Sequence, residues 1–381
     1  MPLELQFHGT LGDEQQEAAM ALLSQDTGVL SASTAFGKTV VACHLIAQRS
    51  VNTLILVHRK QLLDQWVARL STFLGLDRKE IGQIGGGKKS PSGKIDVALI
   101  QSLSRKGIVD DILANYGHLV VDECHHISAR SFEIVARQAK AKYVLGLSAT
   151  VARKDGHHPI IFMQCGPVRF RVDDRKQAAA RPFRHTVIVR GTEARLSATL
   201  QEQERVPIHE VYSLLLSDAS RNDMIVDDIL GAVREGRSPL VFTERKEHLE
   251  LLKERLAASV KNVLVLKGGM GKRQRERLAE TLASIPEAEE RVIVATGRYL
   301  GEGFDDARLD TLFLTLPISW RGTIAQYAGR LHRLHHQKRE VIIYDYADLN
   351  IPTLVNMYKR RLRGYKAIGY EISEEAKSAA L

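Results

Sequence analysis

Short apolar runs alternate with amphipathic stretches along most of this chain. Residues 28–31 form a strand-like run that enters a glycine-containing loop, and 38–48 read as a helix. Thr53–Val57 is leucine-rich and β-branched with no charge, the pattern of a strand buried on both faces of a parallel sheet. Residues 61–70 return to apolar positions at helical spacing, and 95–100, His118–Val121 and 143–147 predict three further strands. Repeated strand–helix units fold as a parallel sheet with helices on both faces.

The pattern degrades over 167–191, where 171–177 is charged and an alanine run ends at Arg181-Pro182. This stretch is expected to cross between domains. A second series then begins: a helix over 220–236, a strand over 239–242, the helix Lys246–Ala257, the strand Val263–Leu266, a basic helix over 272–283 and a strand over 291–294. The expected fold class is α/β, with two tandem domains, each a parallel sheet with helices on both faces. The expected bounds are 1–175, a linker over 176–205, and 206–381 ending in a basic helix. At 381 residues the chain exceeds what one hydrophobic core usually serves. No short-period repeat is visible.

Composition narrows the setting. A hydrophobic share of 44% is ample for two cores, yet no run approaches the ~20 apolar residues of a membrane span. Met1-Pro2-Leu3-Glu4 lacks the start of a secretory signal. Cys43, Cys124 and Cys165 lie far apart and form no CxxC, which fits a reducing, cytoplasmic location. The histidines cluster at His125-His126, His157-His158 and His332/His335/His336, but none of these has the Cys/His spacing of a structural zinc site. A net charge of +9 suits a polyanionic partner without identifying one.

The candidate chemistry sits in the strand-to-helix loops. In Ala32-Ser33-Thr34-Ala35-Phe36-Gly37-Lys38-Thr39, backbone N–H groups at a helix start present positive partial charge to a triphosphate. Lys38 adds a full charge, and the Thr39 hydroxyl is placed to ligate Mg²⁺. The loop departs from GxxxxGK[ST] in having Ala32 at its first position, and Ala35 and Phe36 stand where small residues are common. Asp122 and Glu123 follow an apolar strand, where Asp122 can hold Mg²⁺ through water and Glu123 can orient and deprotonate an attacking water. The plainer alternative is that the pair caps a following helix. His125 and His126 are read as coupling residues. Downstream, 326–333 carries Arg330 and Arg333 at i, i+3; their plainer alternative is a solvated basic helix face.

These residues, in this order, resemble the core of superfamily 2 helicases of the DExH type along nearly the whole chain. Gln15 resembles the glutamine that reads adenine, with Gln16 as the fallback, and 31–39 is similar to motif I. Val57-His58-Arg59-Lys60 resembles motif Ia, Ile100-Gln101-Ser102-Leu103 motif Ib, Asp122 to His125 motif II and Ser148-Ala149-Thr150 motif III. Leu240-Val241-Phe242-Thr243 resembles motif IV, Ala295-Thr296-Gly297 with 301–305 motif V, and 326–333 motif VI. Residues 56–62 and 146–156 point to the subgroup of XPB-like and type III restriction-like translocases. The tail from Met357 to Tyr370 resembles helicase modules of bacterial conflict-system (defence) proteins. Departures are Val151, where many relatives carry proline, and Ala35 in place of glycine.

The resemblance implies two RecA-like lobes that sandwich ATP and Mg²⁺. Lys38, Thr39, Asp122 and Glu123 come from the first, and Arg330 and Arg333 reach the γ-phosphate from the second. Ala35, Phe36 and Gly37 would line the nucleotide, Gly303 would contact it and Asp305 would bind ribose. His125, Ser148, Thr150 and Gln326 would couple the site to movement. His58, Arg59, Gln101, Ser102, Thr243, Arg245 and Thr296 lie where such enzymes touch a phosphodiester backbone without reading sequence. The function expected is an ATP-dependent translocase or helicase, DNA favoured over RNA. A nucleic-acid-stimulated clamp without strand separation, and a catalytically silent binding module, are the alternatives. Intact Lys38, Glu123 and Arg330 argue against the last. The short inter-motif segments suggest a bare motor, excised from or associated with a larger protein supplying nuclease or other activity.

Overall fold

The computed structural model describes residues 1–33, 36–105, 108–109, 111–125, 135, 138–149, 159–201, 206–297, 306–318 and 321–373. The chain divides into two compact units, Met1–Asp173 and Asp174–Leu381.

In the first unit the main sheet is built from strands β1 (Thr27–Ser31), β2 (Thr53–Val57), β3 (Ile81–Gly85), β4 (Lys88–Ser90), β5 (Ile95–Leu99), β6 (His118–Val121), β7 (Tyr143–Ser148) and β8 (Val168–Arg171). They form one sheet in the order β8-β1-β7-β6-β2-β5-β3-β4. Every pairing is parallel except the β3–β4 hairpin. β2 and β6 are buried along their whole length, as uncharged strands under two helical layers must be. Helices α1 (Asp13–Leu23), α2 (Lys38–Arg49) and α3 (Lys60–Leu74) pack an apolar stripe on one face, with Leu45, Leu63, Trp66 and Leu70 in the core.

The second unit holds β9 (Arg184–Gly191), β10 (Pro239–Thr243), β11 (Val263–Leu266), β12 (Val292–Thr296), β13 (Thr311–Leu314), β14 (Glu340–Ala347) and β15 (Glu371–Ile372). Their order is β11-β12-β10-β13-β14-β9-β15, with all pairings parallel. The stretch expected as a linker, 176–205, therefore contributes β9, an eight-residue strand paired in full register with β14. Its alternation, with His185, Val187 and Val189 buried, is the signature of a strand packed on one face. Helices α4 (Ile208–Ser217), α5 (Ala219–Arg234), α6 (Lys246–Ala257), α7 (Lys272–Ser284), α8 (Arg321–Ala328) and α9 (Pro352–Ala367) accompany this sheet. The basic α9 is anchored by buried Arg361, which grips Asp345 of β14 at 2.8–3.1 Å and donates to the Ile318 carbonyl. Among the described residues no helix is long and apolar enough to cross a membrane.

Candidate active site

Three loops leave the carboxyl edge of the first sheet side by side, because β7 lies between β1 and β6. In open α/β sheets that edge is where ligands bind. Ser31 pairs with Ser148, so β1 and β7 end together, and Val121 pairs with Gly146, so β6 ends two residues earlier. The Ala32 amide donates to the Ser148 carbonyl at 2.9 Å, and Cys124 to Leu147 at 3.0 Å, which locks the loops to one another.

The first loop closes on Gly37, the N-cap of α2, at φ 87°. A Cβ there would be strained and would lie 2.7 Å from Gln15 Nε2, so the position requires glycine. Gln15, in the first turn of α1, accepts from the Gly12 amide at 3.0 Å and donates to the Phe36 carbonyl at 2.7 Å. It braces the loop while Phe36 is buried in the core. Lys38 and Thr39 then open α2.

Lys38 is buried, its ammonium donating to the Ala32 carbonyl at 2.9 Å and standing 3.5 Å from Glu123 Oε1. The other Glu123 oxygen lies 3.4 Å from His125 Nδ1, which is 2.9 Å from the Ser148 hydroxyl. Asp122 is held separately: the Trp66 indole donates to Oδ2 at 2.8 Å and the Glu123 amide to Oδ1 at 2.9 Å. Burial, then the Glu123 charge, push the Asp122 carboxyl up to about 6, against the opposing pull of the Trp66 bond and Lys38. Glu123 itself has φ 45°, a left-handed conformation uncommon outside glycine. Two buried carboxylates against one ammonium leave the cluster anionic. With the Thr39 hydroxyl they form a set of hard oxygen donors suited to Mg²⁺, beside amide and ammonium donors suited to phosphate.

Trp66 was not among the site residues read from sequence; it counted only as one apolar position of the helical pattern over 61–70. Its bond spans 56 residues, and nothing local marks it. His58 and Arg59 are half-buried ahead of α3, with the Gln101 amide donating to the His58 carbonyl at 3.1 Å. Ser102 ends the 3-10 turn Ile100–Ser102.

In the second unit, β12, β10 and β13 also end side by side, with Thr243 and Thr296 in register. Thr243 is fully buried: its hydroxyl lies 3.1 Å from His248 Nδ1 and accepts from the Arg245 amide at 3.3 Å. Burial, then Arg221 and Arg255, pull His248 down to about 3, so this network is neutral at the histidine. Thr296 accepts from the Gly268 amide at 3.4 Å, and the Arg245 guanidinium lies 5.6 Å from the Tyr212 ring centre. Gln326 is half-buried in α8. That helix stops at Ala328, so Arg330 and Arg333, both half-buried, fall in consecutive turns and not on a helix face. Lys338 fixes those turns by donating to the Leu331 and Arg333 carbonyls, each at 2.8 Å. Ala35, Thr150, Gly303 and Asp305 lie outside the described residues.

Similarity to known proteins agrees with this arrangement. Residues 8–153 match the family described as type III restriction enzyme, res subunit, and residues 221–335 match the helicase conserved C-terminal domain. A putative ATP-dependent RNA helicase L396 of Acanthamoeba polyphaga mimivirus is 25% identical over 387 residues, covering 97% of this chain and 70% of the relative. The DNA 3'-5' translocase XPB2 of Sulfurisphaera tokodaii is 33% identical over 161 residues, covering 42% of this chain and 35% of the relative. The solved ATP-dependent Type ISP restriction-modification enzyme LlaBIII bound to DNA superposes with a TM-score of 0.69 at 15% identity. It covers 98% of this chain and 32% of its own, a likeness of fold. Two parallel sheets, the order of their loops and these matches make the chain a superfamily 2 helicase core of the XPB-like and type III restriction-like kind, an ATP-hydrolysing helicase.

Proposed function

We propose that this core is an ATP-driven translocase that tracks along DNA. The observation that carries the reading is the buried Lys38–Glu123–Asp122 cluster at the carboxyl edge of the first sheet, beside the Gly37 loop. Lys38 and the α2 amides bind the β- and γ-phosphates, and Thr39 and Asp122 would hold Mg²⁺, which would neutralise charge on the transferred phosphoryl group. Glu123 orients the attacking water and accepts its proton, with His125 and Ser148 fixing the carboxylate. Gln15 keeps the loop in its bonded conformation at the Phe36 carbonyl. Arg330 and Arg333, in turns fixed by Lys338, supply the positive charge that stabilises the transition state. In the first unit His58, Arg59, Gln101 and Ser102 hold the phosphate backbone, and in the second Arg245 and Thr296 do; Thr243, expected to join them, is fully buried and instead supports the Arg245 segment.

DNA is favoured because the Sulfurisphaera relative is named a DNA translocase and the LlaBIII structure holds DNA, although the mimivirus relative is named an RNA helicase. The test is steady-state ATP hydrolysis with no nucleic acid, single-stranded DNA, duplex DNA and single-stranded RNA at one salt concentration. Stimulation by duplex DNA, with displacement of a triplex-forming strand, supports translocation. Stimulation without displacement leaves a clamp, and stimulation by RNA alone overturns the DNA assignment.

A further inference from the structure

A second cluster of ligand-type side chains lies in the second unit, on residues given no part in handling nucleotide or nucleic acid. Glu287, in the loop after α7, places Oε1 3.6 Å from Nε2 of His335 and Oε2 3.6 Å from Nε2 of His336. The two imidazole rings are 4.5 Å apart between centroids, and one ligand atom from each of the three residues lies within 4.8 Å of the others. These separations exceed the ~2.7–3.2 Å of an N–H···O bond. The two carboxylate–imidazole distances match the ~3.3–3.6 Å between neighbouring ligands on a tetrahedral ion with bonds of about 2.0–2.2 Å, and the third pair lies within 4.8 Å, so a rotamer change of an exposed side chain completes the set.

Both segments are held in place by cations that are not themselves ligands. Arg308 donates to the carbonyls of Leu282, Ile285 and Pro286 at 2.9, 3.0 and 3.4 Å, immediately ahead of Glu287. Lys338 grips the Leu331 and Arg333 carbonyls, and its own amide donates to the His335 carbonyl at 3.1 Å. The backbone that carries the three side chains is thus already ordered, which lowers the cost of binding. The His335 side chain is 14% exposed, Glu287 53% and His336 69%, so an ion reaches the cluster from solvent. His332, which the sequence groups with these histidines, is not part of it: it is buried, with Nε2 3.0 Å from the Tyr370 hydroxyl.

We propose that Glu287, His335 and His336 bind one borderline divalent transition-metal ion of the Zn²⁺ class, with water completing its coordination. Two imidazoles and one carboxylate favour Zn²⁺, Ni²⁺ or Cu²⁺ over Mg²⁺. The ion ties the loop at Glu287 to the turn that follows Arg333. The test is calorimetric titration of the chelator-stripped full chain with Zn²⁺, Ni²⁺ and Mg²⁺ in the absence of nucleotide. One saturable equivalent of Zn²⁺ or Ni²⁺ is expected, with no such equivalent for Mg²⁺. Changes to outer-shell partners alone weaken metal sites about 10–100-fold, so loss of a ligand in Glu287→Gln or His336→Ala weakens binding at least tenfold. Both side chains are mostly exposed, and metal-free melting of each variant serves as the folding control. Absence of a saturable equivalent, equal binding of Mg²⁺, or binding unchanged in both variants overturns the assignment.

Discussion

Replacing Trp66 with phenylalanine removes the indole donor from Asp122 while keeping an aromatic ring in the core. Asp122 already sits high, at about 6, because burial and the neighbouring Glu123 disfavour its charge and the Trp66 bond only partly offsets them. That bond stabilises the ionised carboxylate, so its loss favours the protonated form. A hydrogen bond to a charged acceptor contributes roughly 1.5–3 kcal/mol, and about 1.4 kcal/mol corresponds to one pH unit. The midpoint therefore moves up by about one to two units. At pH 7 the wild-type carboxylate is about nine-tenths ionised, and the variant about one-half to one-tenth. Since only the ionised form holds Mg²⁺, kcat/KM for ATP at neutral pH falls about two- to tenfold and recovers above pH 9. The assay is a pH profile of kcat/KM with saturating nucleic acid, because this parameter reports the free enzyme. Lost packing alone would depress activity equally at every pH. An acid limb that superposes on the wild-type one after scaling refutes the reasoning.

Lys38→Ala abolishes turnover, and Glu123→Gln does the same while nucleotide binding persists; retained hydrolysis in either variant contradicts the site, and fluorescent-nucleotide binding distinguishes them. Arg330→Ala leaves folding intact but removes nucleic-acid stimulation, checked by comparing basal and stimulated rates; full stimulation rules out the assigned role. Arg361→Met strands buried Asp345 with only its Tyr365 partner, costing about 3–5 kcal/mol in urea denaturation; a loss under ~1 kcal/mol shows the pair is not needed for the fold.

How much was legible depended on whether the signal was local. Thr53–Val57 and His118–Val121 declare themselves because strands buried on both faces carry no charge. Asp122, Glu123 and Lys38 declare themselves because each adjoins such a strand or the helix after it. Ile81–Gly85 and Lys88–Ser90 do not: glycines interrupt the apolar run of the first, and the second is an exposed edge strand rich in lysine, where only one side is paired and burial demands little. β9 was lost for a different reason. Its alternating Val187 and Val189 were visible, but the charged 171–177 stretch and Pro182 suggested a crossing, and only pairing with β14, over 150 residues away, makes it a strand. Trp66 and Glu287 are the same problem at side-chain scale. Their partners are 56 and about 50 residues distant, and no periodicity encodes that.

Buried charge in the Lys38 cluster of the first unit is treated differently from that at Arg361 and Arg221 of the second, and the contrast locates the chemistry. In the second, Arg361 meets Asp345 through three bonds of 2.8–3.1 Å, and Arg221 meets Asp348 at 2.7 Å with a further bond to the Thr315 carbonyl. Such pairs recover most of their desolvation cost through geometry. In the first, Lys38 stands 3.5 Å from Glu123, beyond hydrogen-bond reach, Asp122 is pushed toward its protonated form, and Glu123 occupies a backbone conformation that costs about 1–3 kcal/mol. A cluster kept for stability would have closed those gaps as the second unit does. One that leaves a buried ammonium beside a carboxylate pushed toward protonation and another on a strained backbone gains from the arrival of a polyphosphate and a divalent cation. The stability forgone at Lys38, Asp122 and Glu123 is thus the structural mark of the nucleotide site.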